Sequence, residues 1–565
     1  MNPAWPVLGL LLICPALWSW GGGHMPARGS AVVLVLLALG SLILILRRRI
    51  AVPAPAWLAA LLWAWGLLGW LNTPVPDPGW IRVVERGAAL VVAWGACAWW
   101  LGRGLGGIPG VLGLLGSGIL ALDVLGQLPA PGTGTTLGLW SGIGLDTPTG
   151  NPNFTVGAAL PLLVVGLAGW TEARPSQRLA LGVGILAATV LGTGALSGDA
   201  TRAVWPALVA GGGILAILRL PRQVQVPATL LGLMTAFVLP LALAWGGWTS
   251  SVIGPSGMYR LALWRSAGQA IAHGPWQGYG PGASLSVLPG QPAYVDAWLA
   301  VPSYPEHAHH EFLEALVEGG LPALILLMAV AVVTYLPLWR RRAESVPRAL
   351  LAGGATALAL ALVESHLSQP GPLLGLALLG GSAWAVAGAA QGISWPRLGL
   401  PVAWAAVAVL LLGRQLGEEA RAGDELTGAA TPPVVELVHL RALDLARKAK
   451  DWPEAARIAL SLQNRLGPLI DVWQLRAEAA AHLGDNPTAV ALTLNQAVRL
   501  PLVPAHLDVL DRLERRARER QWPDAPALTA ARLRARNLAR IVVARARSTD
   551  HQATLAWLGT WAARE

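Results

Sequence analysis

Long runs of apolar residues, separated by short polar segments, fill the chain from its beginning to about residue 414. Irregular backbone that faces lipid leaves polar groups unsatisfied, so runs of this length predict membrane-spanning helices. We expect about 13 such helices, at residues 7–20, 31–46, 56–71, 83–101, 108–126, 156–170, 179–193, 203–218, 228–246, 321–338, 349–366, 372–389 and 399–414. The pattern therefore predicts an all-α, polytopic membrane protein.

Arginines between the apolar runs indicate which loops face the cytoplasm. If the first loop is external, the internal loops carry Arg47 to Arg49, Arg103, Arg174 with Arg178, Arg219 with Arg222, Arg340 to Arg342 with Arg348, and Arg397. This distribution obeys the positive-inside rule. It places the long segment 247–320 and the C-terminal part of the chain on the external side. External arginines are few, so those that occur there need an explanation of their own.

The polarity of the chain changes after residue 417, which we take as the end of the transmembrane domain (residues 1–417). A linker at 418–434 contains glycine and proline, and residues 435–565 are charged, with helical periodicity. Prolines at 453, 487 and 523 lie 34 and 36 residues apart, each where a helix is expected to begin. Helical pairs at this period resemble tetratricopeptide repeats. Such a domain would form either a concave surface that binds a partner protein or a helical cap on the membrane domain.

Composition supports the membrane assignment and argues against nucleic acid as a partner. The chain is 54% hydrophobic and 13% charged, with a mean hydropathy of +0.52, which is too apolar for an ordinary soluble domain. A net charge of +10 would suit nucleic acid, but much of the arginine lies in short loops, where it sets topology. We expect membrane lipids as partners and no nucleic acid.

Two external motifs precede predicted spans. In Gly150-Asn-Pro-Asn-Phe154, asparagine and proline favour a turn, and Asn153 is expected to cap the helix that follows. In Ser197-Gly-Asp-Ala-Thr-Arg202, the arginine enters a helix N-terminus, where the dipole is already positive. Either a bound anion or an ion pair with Asp199 would relieve that conflict.

The long external segment carries the third and richest motif. Tyr259 to Arg265 is predicted to form an amphipathic helix on the membrane surface, with Arg260 and Trp264 on one face and Arg265 on another. The glycine-rich stretch 278–282 would let backbone approach a ligand closely. The run Pro305-Glu-His-Ala-His-His-Glu-Phe-Leu-Glu then leads into a helix.

Histidines of this last run, His307, His309 and His310, allow three interpretations: a metal site with Glu306 and Glu311, a proton-transfer site, or a solvated loop. No cysteine or distant histidine pair supplies further metal ligands. In the proton-transfer hypothesis, a neutral imidazole takes a proton from an attacking hydroxyl while arginines stabilise a departing polyanion.

These motifs, in this order and on one side of the membrane, resemble the O-antigen ligase and polymerase superfamily over about residues 140–340. The family usually has His-Asn in the last motif, so His309 matches the family histidine and His310 replaces the asparagine. Arg202 and Arg260 match external arginines that are thought to hold the diphosphate of a polyprenyl-linked glycan, and Arg265 is a further candidate. Asn153, Glu311 and Glu318 match motif positions of supporting role.

The resemblance implies transfer of a glycan from undecaprenyl diphosphate to an acceptor hydroxyl at the periplasmic face of a bacterial inner membrane. It implies no cofactor, bound metal or nucleotide sugar, with His309 as base, arginines on the diphosphate, and His307 and His310 in support. Arginine suits this role because its planar fork can hold two phosphate oxygens and stays charged near lipid.

Several acceptors and one other function stay open at this level. The acceptor would be a lipid A core sugar for a ligase, a second lipid-linked glycan for a polymerase, or a protein for an O-oligosaccharyltransferase. A small-anion transporter is the alternative from another class, with Asp123, Glu364 and His366 as the few ionisable residues near or within spans. No repeat symmetry among the helices supports transport.

Overall fold

The fold is given by a computed structural model, which describes residues 38, 41, 54–74, 76–127, 152–193, 203–245, 250–289, 291–294, 296–297, 307–387, 446, 448–466, 470–499, 504–545 and 552–563. These residues form helices and turns, with no strand among them. The prediction of an all-α fold is confirmed.

The apolar part of the chain folds into helices that follow the predicted spans closely. They are α1 (Ala54–Trp70), α2 (Pro76–Arg103), α3 (Ile108–Gln127), α4 (Pro152–Ala168), α5 (Pro175–Thr193), α6 (Val204–Ile217), α7 (Arg222–Trp245), α8 (Ser250–His273), the short α9 (Ser284–Val287), α10 (Glu311–Arg340), α11 (Ser345–Ala361) and α12 (Pro370–Val386). Every predicted span between residues 56 and 389 coincides with one of them. The spans predicted at 7–20, 31–46 and 399–414 lie wholly or almost wholly outside the described residues, so the count of 13 stays a prediction.

Length and polarity of these helices agree with a membrane protein. Within the described part of the chain, three segments are long and apolar enough to cross a bilayer, namely Leu105–Leu125, Pro175–Thr193 and Glu311–Arg340, and several shorter apolar helices accompany them. Large apolar side chains point outward from the bundle, such as Leu179, which is 73% exposed, and Leu186. Lipid rather than water is the solvent that tolerates such a surface.

Helix α4 lies at the centre of the bundle, where it packs against α3, α11 and α12. Leu160, Leu162 and Leu163 of α4 are fully buried. The backbones of α3 and α4 meet where a Cβ on Gly113 would lie only 2.6 Å from the Cα of Gly166. Small residues permit such close packing between helices in a membrane, where lipid supplies no hydrophobic driving force.

Helix α10 is kinked at Gly320, whose φ of 66° and ψ of −164° are not helical, and Pro322 follows. The kink separates the outer turns, which begin at Glu311, from the apolar remainder of the helix. It lies at the predicted boundary between the long segment and the span that begins at residue 321. We call the end of the bundle that carries α8, α9 and the first turns of α10 the loop side.

Three carbonyls at this kink accept hydrogen bonds from other segments of the chain. Tyr279 N–H donates to Val317 O at 2.9 Å and Gly280 N–H to Glu318 O at 2.7 Å, while Trp65 Nε1–H donates to Gly319 O at 2.8 Å. Buried carbonyls need such partners, because an unsatisfied one costs about 1–3 kcal/mol. The kink thus joins α1, α10 and the glycine-rich stretch 278–282.

Helix α8 is longer than the predicted segment 259–265 and packs inside the protein. Leu263 and Ala267 are fully buried, in a cluster with Tyr294, Ala308 and Val317. We predicted that this helix rests on the membrane surface. The structure corrects this prediction, because one face of α8 packs against α10. Because its apolar face is buried by protein, its polar residues are held in fixed positions.

The C-terminal part contains α13 (Trp452–Leu466), α14 (Ile470–Leu483), α15 (Asn486–Arg499), α16 (Pro504–Glu519), α17 (Ala525–Arg545) and α18 (Gln552–Ala563). Each helix packs against the next along the chain. Most of them share a core of small and aliphatic side chains around Trp561. The linker at 418–434 lies outside the described residues, and the tetratricopeptide-like character of the domain stays a prediction.

Two of the three proline segments begin helices in the same way. Asp451 and Asp485 each accept, through Oδ1, the backbone N–H three residues on, at 3.2 and 3.3 Å, and the prolines at 453 and 487 lie in the first turn. The third segment has Gln521 in place of aspartate, and its helix begins only at Ala525, so the expectation that Pro523 begins a helix is wrong. An aspartate is a preferred N-cap and glutamine is not, which explains the later start.

Candidate active site

The histidine segment forms a tight turn directly before α10. His310 is the N-cap residue of the helix, and its Nδ1 accepts the N–H of Leu313 at 3.4 Å. His309 has a φ of 50°, in the left-handed region that residues other than glycine seldom occupy. A backbone held in this region costs of order 1–3 kcal/mol and is common at functional sites.

The side chain of His309 is oriented by a carboxylate from another helix end. His309 Nδ1 lies 2.8 Å from Oε2 of Glu364, which follows α11 and is 2% exposed, whereas the imidazole is 23% exposed. A carboxylate only accepts hydrogen bonds, so Nδ1 carries the proton. In the neutral ring, Nε2 then carries the lone pair and can take up a proton.

Glu364 also binds Arg260 of α8. Arg260 Nη2 donates to Oε1 of Glu364, and the arginine side chain is 24% exposed. Trp264, one helical turn further along α8, donates its indole N–H to the carbonyl oxygen of His309 at 3.3 Å. Arg260 and Trp264, which were predicted to share a face of α8, therefore both contact this site. Trp264 binds the backbone of His309, and Arg260 binds Glu364.

Arg265 has a different environment. Its Nη1 lies 3.8 Å from Oδ2 of Asp296, which is 60% exposed. An ion pair that is open to solvent contributes little to stability. Arg202 and Glu306 lie outside the described residues.

Behind the histidine segment lies a buried ionic network centred on Arg82 of α2. Arg82 donates from Nη1 to Oε1 of Glu314 at 3.0 Å and also to Oε1 of Glu318, and its Nη2 lies 2.8 Å from His307 Nδ1. Arg82, Glu314 and Glu318 are at most 3% exposed. A guanidinium only donates, so His307 Nδ1 accepts from Arg82.

This network fixes the backbone next to the catalytic candidate. Glu314 Oε2 accepts the N–H of Ala308 at 2.6 Å, and Glu318 Oε1 accepts the N–H of Gly282 at 2.7 Å. One arginine of α2 therefore holds, through two carboxylates, both the histidine segment and the glycine-rich stretch. The described contacts of this stretch include those with α10 and with Thr73, which follows α1. That the stretch approaches a ligand stays a prediction.

Arg86 and Glu311 form the neighbouring part of the network. Arg86 donates to Glu318 Oε2 at 2.9 Å and to the Leu367 carbonyl at 3.1 Å. The N–H of Leu367 donates to Glu311 Oε2 at 2.9 Å. Both the backbone carbonyl and the backbone N–H of Leu367 are thus hydrogen-bonded. These bonds place the turn after α11 against the first turn of α10, with Glu364 next to His309.

The three histidines differ in the role of their Nδ1 atoms. Nδ1 accepts a hydrogen bond in His307 and His310, whereas in His309 it donates to a carboxylate. Burial also lowers the pKa of His310 to about 4, which keeps this ring neutral at pH 7. Among the residues the structure describes, no three histidine, cysteine, aspartate or glutamate side chains form a group suited to a metal ion.

Asn153 does not occupy the expected cap position. Helix α4 begins at Pro152, so Asn153 lies within the first turn rather than before it. Proline suits the first turn because its fixed φ is helical and no N–H is needed there. The expectation that Asn153 caps α4 is therefore wrong.

Four residues of the site were not among the sequence-based site candidates: Arg82, Arg86, Glu314 and Glu364. One signal was present, since ionisable residues near the ends of apolar spans are costly and usually functional. Glu364 had been noted for this reason, but as a candidate for transport. The structure places it between the two main catalytic candidates, Arg260 and His309.

Comparison with known proteins identifies the central part of the chain. Residues 185–328 match the family model described as O-antigen ligase. The chain carries an O-antigen ligase domain. The comparison with curated proteins gives no match. The suspected superfamily is thereby confirmed, together with a membrane location and a ligase or polymerase type of glycosyltransferase family.

The O-antigen ligase domain contains Arg260, Arg265 and the whole histidine segment. Three residues that complete the site, Arg82, Arg86 and Glu364, lie outside the matched stretch, on α2 and after α11. The geometry of the site therefore depends on helices on both sides of the O-antigen ligase domain.

Proposed function

We propose that the protein transfers a glycan from undecaprenyl diphosphate to an acceptor hydroxyl, with His309 as the general base. The observation that carries this proposal is the contact between His309 Nδ1 and the buried carboxylate of Glu364. It leaves the basic nitrogen, Nε2, on the opposite side of a ring that is partly exposed. A carboxylate that orients an imidazole in this way is the arrangement of a general base.

In the proposed step, the acceptor hydroxyl gives its proton to His309 Nε2 while its oxygen attacks the anomeric carbon of the donor glycan. The bond between that carbon and the diphosphate oxygen breaks, and the electron pair leaves with undecaprenyl diphosphate. Negative charge therefore grows on the diphosphate as the reaction proceeds. Cations near the leaving group accelerate the step to the extent that they bind this growing charge more strongly than the ground state.

Arg260 is the described cation best placed for that role. It shares Glu364 with His309 and is partly exposed. A guanidinium has several N–H donors, so Arg260 can hold Glu364 and a phosphate oxygen at the same time. A charge-assisted hydrogen bond of this kind contributes about 1.5–3 kcal/mol. Arg202 and Arg265 are further sequence-based candidates for the diphosphate.

A reconstituted transfer assay tests the proposal. The purified protein in liposomes receives a glycan on undecaprenyl diphosphate and a hydroxyl acceptor, and product is measured for His309→Ala, Arg260→Ala and Arg202→Ala. We expect loss of transfer in each variant, with folded protein still recovered. The melting temperature of Arg260→Ala should fall, because the buried carboxylate of Glu364 loses its cation. His273→Ala is the matched control, because His273 is an exposed histidine at the end of α8 that contacts the Gln269 carbonyl. Full activity of His309→Ala would exclude His309 as the base.

We further propose that the acceptor hydroxyl belongs to a lipid A core sugar, which would make the protein a ligase. A blot of surface polysaccharide from a deletion strain separates the alternatives. Loss of long chains from lipid A indicates a ligase, single-unit capping indicates a polymerase, and loss of glycan from proteins indicates an O-oligosaccharyltransferase. An unchanged pattern in all three fractions would contradict the proposed transfer.

We further propose that the loop side faces the periplasm of a bacterial inner membrane and that the C-terminal helices lie there too. Arginine distribution supports this orientation. The C-terminal domain would then be available to a protein partner on the same side as the site. Labelling of a cysteine introduced at exposed Glu519 by an impermeant maleimide in whole spheroplasts measures this directly, and a residue labelled only after lysis would reverse the orientation.

A further inference from the structure

His307 has a second contact, through the ring nitrogen that Arg82 does not bind. Its Nε2 lies 2.6 Å from Nε2 of Gln369, the residue directly before α12. The imidazole is buried, so protein groups rather than water have to satisfy its two nitrogens. Arg82 and Gln369, from two different parts of the fold, therefore decide where the proton of this ring lies.

The proton of His307 lies on Nε2. Arg82 Nη2 is 2.8 Å from Nδ1, and a guanidinium only donates, so Nδ1 presents its lone pair. Glu314 Oε1 lies 3.6 Å from the same nitrogen, which is beyond hydrogen-bond distance. A neutral imidazole with its lone pair on Nδ1 carries its hydrogen on Nε2. This N–H needs an acceptor, and the amide of Gln369 lies within reach of it.

Gln369 provides that acceptor with its amide oxygen. Two N–H groups that face each other repel, whereas the oxygen and the nitrogen of an amide have nearly the same shape and are placed according to the hydrogen bonds around them. The bond from His307 therefore assigns the oxygen of Gln369 to the position 2.6 Å from the ring. Because the amide is uncharged, it accepts from the neutral ring without attracting a second proton to it.

The side chain of Gln369 is available for this contact, since α12 does not use it. Gln369 occupies the N-cap position without a side-chain cap hydrogen bond, and Pro370 follows in the first turn, where no N–H has to be satisfied. Ser368, one residue earlier, accepts from Arg86 at 3.3 Å. The turn before α12 thus supplies partners both to the histidine segment and to the arginines of α2.

His307 and His309 lie edge to face, with ring centroids 6.5 Å apart, but their partners differ in charge. His309 donates from Nδ1 to the carboxylate of Glu364, which stabilises the imidazolium that forms when Nε2 takes a proton. His307 contacts a cation through Nδ1 and a neutral amide through Nε2, so a second proton on this ring would have to displace Arg82. The two rings therefore hold opposite tautomers, and the ring beside the carboxylate gains a proton at the lower cost.

We infer that Gln369 is a positioning residue, which holds His307 as a neutral ring protonated on Nε2 and so leaves proton uptake to His309. The inference rests on the proposed function only for the reaction, because the tautomer of His307 follows from its contacts. It gives a role to a residue that lies outside the matched O-antigen ligase stretch. Arg82 from α2, Glu314 from α10 and His309 from the same segment are the charged or titratable groups described around His307.

Solid-state ¹⁵N NMR of the full-length protein in liposomes, labelled at its ten histidines, tests the tautomer directly. The ¹⁵N shift separates a ring nitrogen that carries hydrogen from one that does not, and the signals of His307 are those lost in His307→Asn. We expect a protonated Nε2 and an unprotonated Nδ1 for His307 from about pH 8 to about pH 5.5, and the opposite tautomer for His309 at the upper end of that range. A protonated Nδ1 of His307, or uptake of a second proton by this ring within the range, would overturn the inference.

Two substitutions of Gln369 separate its hydrogen bond from its lack of charge. Gln369→Leu removes the acceptor and leaves a buried N–H unsatisfied, so kcat in the proteoliposome assay should fall on the order of tenfold, with KM unchanged. Gln369→Glu keeps an acceptor oxygen and should recover much of this loss near pH 8. Its carboxylate also stabilises a doubly protonated His307, whose second proton displaces Arg82. The acid limb of log kcat against pH should therefore steepen from a slope of about one to a slope of about two.

Gln177→Glu is the matched control, because the side-chain oxygen of Gln177 is also an acceptor, for the N–H of Arg174. It should leave both kcat and the slope of the acid limb as they are in the unmodified protein. An unchanged slope in Gln369→Glu, or an unchanged kcat in Gln369→Leu, would refute the role of Gln369. Because the NMR measurement needs no reaction, an inactive protein with the expected tautomers would count against the proposed transfer alone. An active protein with His307 protonated on Nδ1 would count against this inference alone.

Discussion

His309 Nδ1 lies 2.8 Å from Oε2 of Glu364, a residue 55 positions further along the chain and at the end of a different helix. The contact fixes the rotation of the imidazole and decides which of its nitrogens carries the proton. It also gives Glu364 two tasks, because the other oxygen of the same carboxylate holds Arg260. The proposed base and the proposed diphosphate ligand are therefore positioned by one buried group.

Replacing that group should lower the rate of transfer while the protein stays folded. We expect Glu364→Gln to reduce kcat by at least about a hundredfold, because an amide can bind the imidazole with either its oxygen or its nitrogen and no longer fixes the tautomer. The measurement is kcat in proteoliposomes, with melting temperature as the check on folding. Glu344→Gln is the matched control, since Glu344 is an exposed glutamate that pairs with Arg341. A variant with unchanged kcat would show that Glu364 does not orient the base.

Arg82 should be the residue on which the folding of the site depends most. Arg82→Leu leaves Glu314 and Glu318 buried without their central cation, and breaking such a buried pair costs about 3–5 kcal/mol. We expect a large fall in melting temperature and loss of transfer. Arg178→Leu, which removes an exposed arginine bonded to backbone carbonyls, should leave both almost unchanged. Equal effects of the two substitutions would contradict the importance of the network.

His310 should be replaceable by the residue that the family usually has at this position. Asparagine is among the best N-caps, so His310→Asn should preserve transfer, whereas His310→Ala should lose about 0.5–2 kcal/mol of stability. The assay is transfer at pH 7 together with the melting temperature of both variants. Loss of transfer in His310→Asn at full stability would instead give the imidazole a chemical role.

The same histidine predicts a pH dependence of stability. The pKa of His310 is about 4 in the folded protein, because burial disfavours the charged ring, against an ordinary value of 6.5. Between these values the unfolded state binds more protons, so stability that is complete above pH 6.5 is lost as the pH falls towards 4. The slope is about 1.4 kcal/mol per pH unit at most. His310→Asn should remove this contribution, which a comparison of melting temperatures from pH 7 to pH 4 would detect as a shallower acid decline.

Gly320 should not accept any side chain. A Cβ there would lie 2.0 Å from the carbonyl oxygen of Trp276, and φ is 66°, so Gly320→Ala combines a clash with a strained backbone. We expect little folded protein, measured as monodisperse yield after purification. Gly182→Ala, with nothing within 4 Å of the new Cβ, should give a normal yield. A stable Gly320→Ala protein would show that the kink can be rebuilt.

The spans could be predicted well from sequence because a bilayer permits few structures: an apolar run of sufficient length has to be helical. Arg260 could be selected as a candidate because it lies where positive charge is otherwise scarce, whereas only the family resemblance distinguished His309 from the neighbouring histidines. The partners of these residues could not be selected in the same way. Glu364 reaches His309 from a turn in which Leu367 is bonded to both Arg86 and Glu311, and such packing leaves no local pattern in the sequence.

Local rules failed where a neighbouring residue changed the start of a helix. Pro152 begins α4 two residues earlier than an Asn153 cap would require, because a cap at 153 would make Phe154 the first helical residue. Gln521 replaces the aspartate that caps the helices at 452 and 486, and α17 begins later than its proline suggests. The periodicity of α8 correctly predicted which residues share a face of this helix. It did not predict that protein rather than lipid covers the apolar face, since periodicity does not distinguish lipid from a neighbouring helix.

The ion pairs of Arg82 join residues 232 and 236 positions apart, and this separation has a consequence for biogenesis. At a synthesis rate of about 5–20 residues per second, α2 leaves the ribosome on the order of ten to fifty seconds before Glu314 and Glu318 are made. During that interval its guanidiniums have to stay hydrated, because a charge in lipid without a partner is costly. The ion pairs of α2 can therefore form only after α10 has been made, and the network behind the candidate site is completed late in the synthesis of the chain.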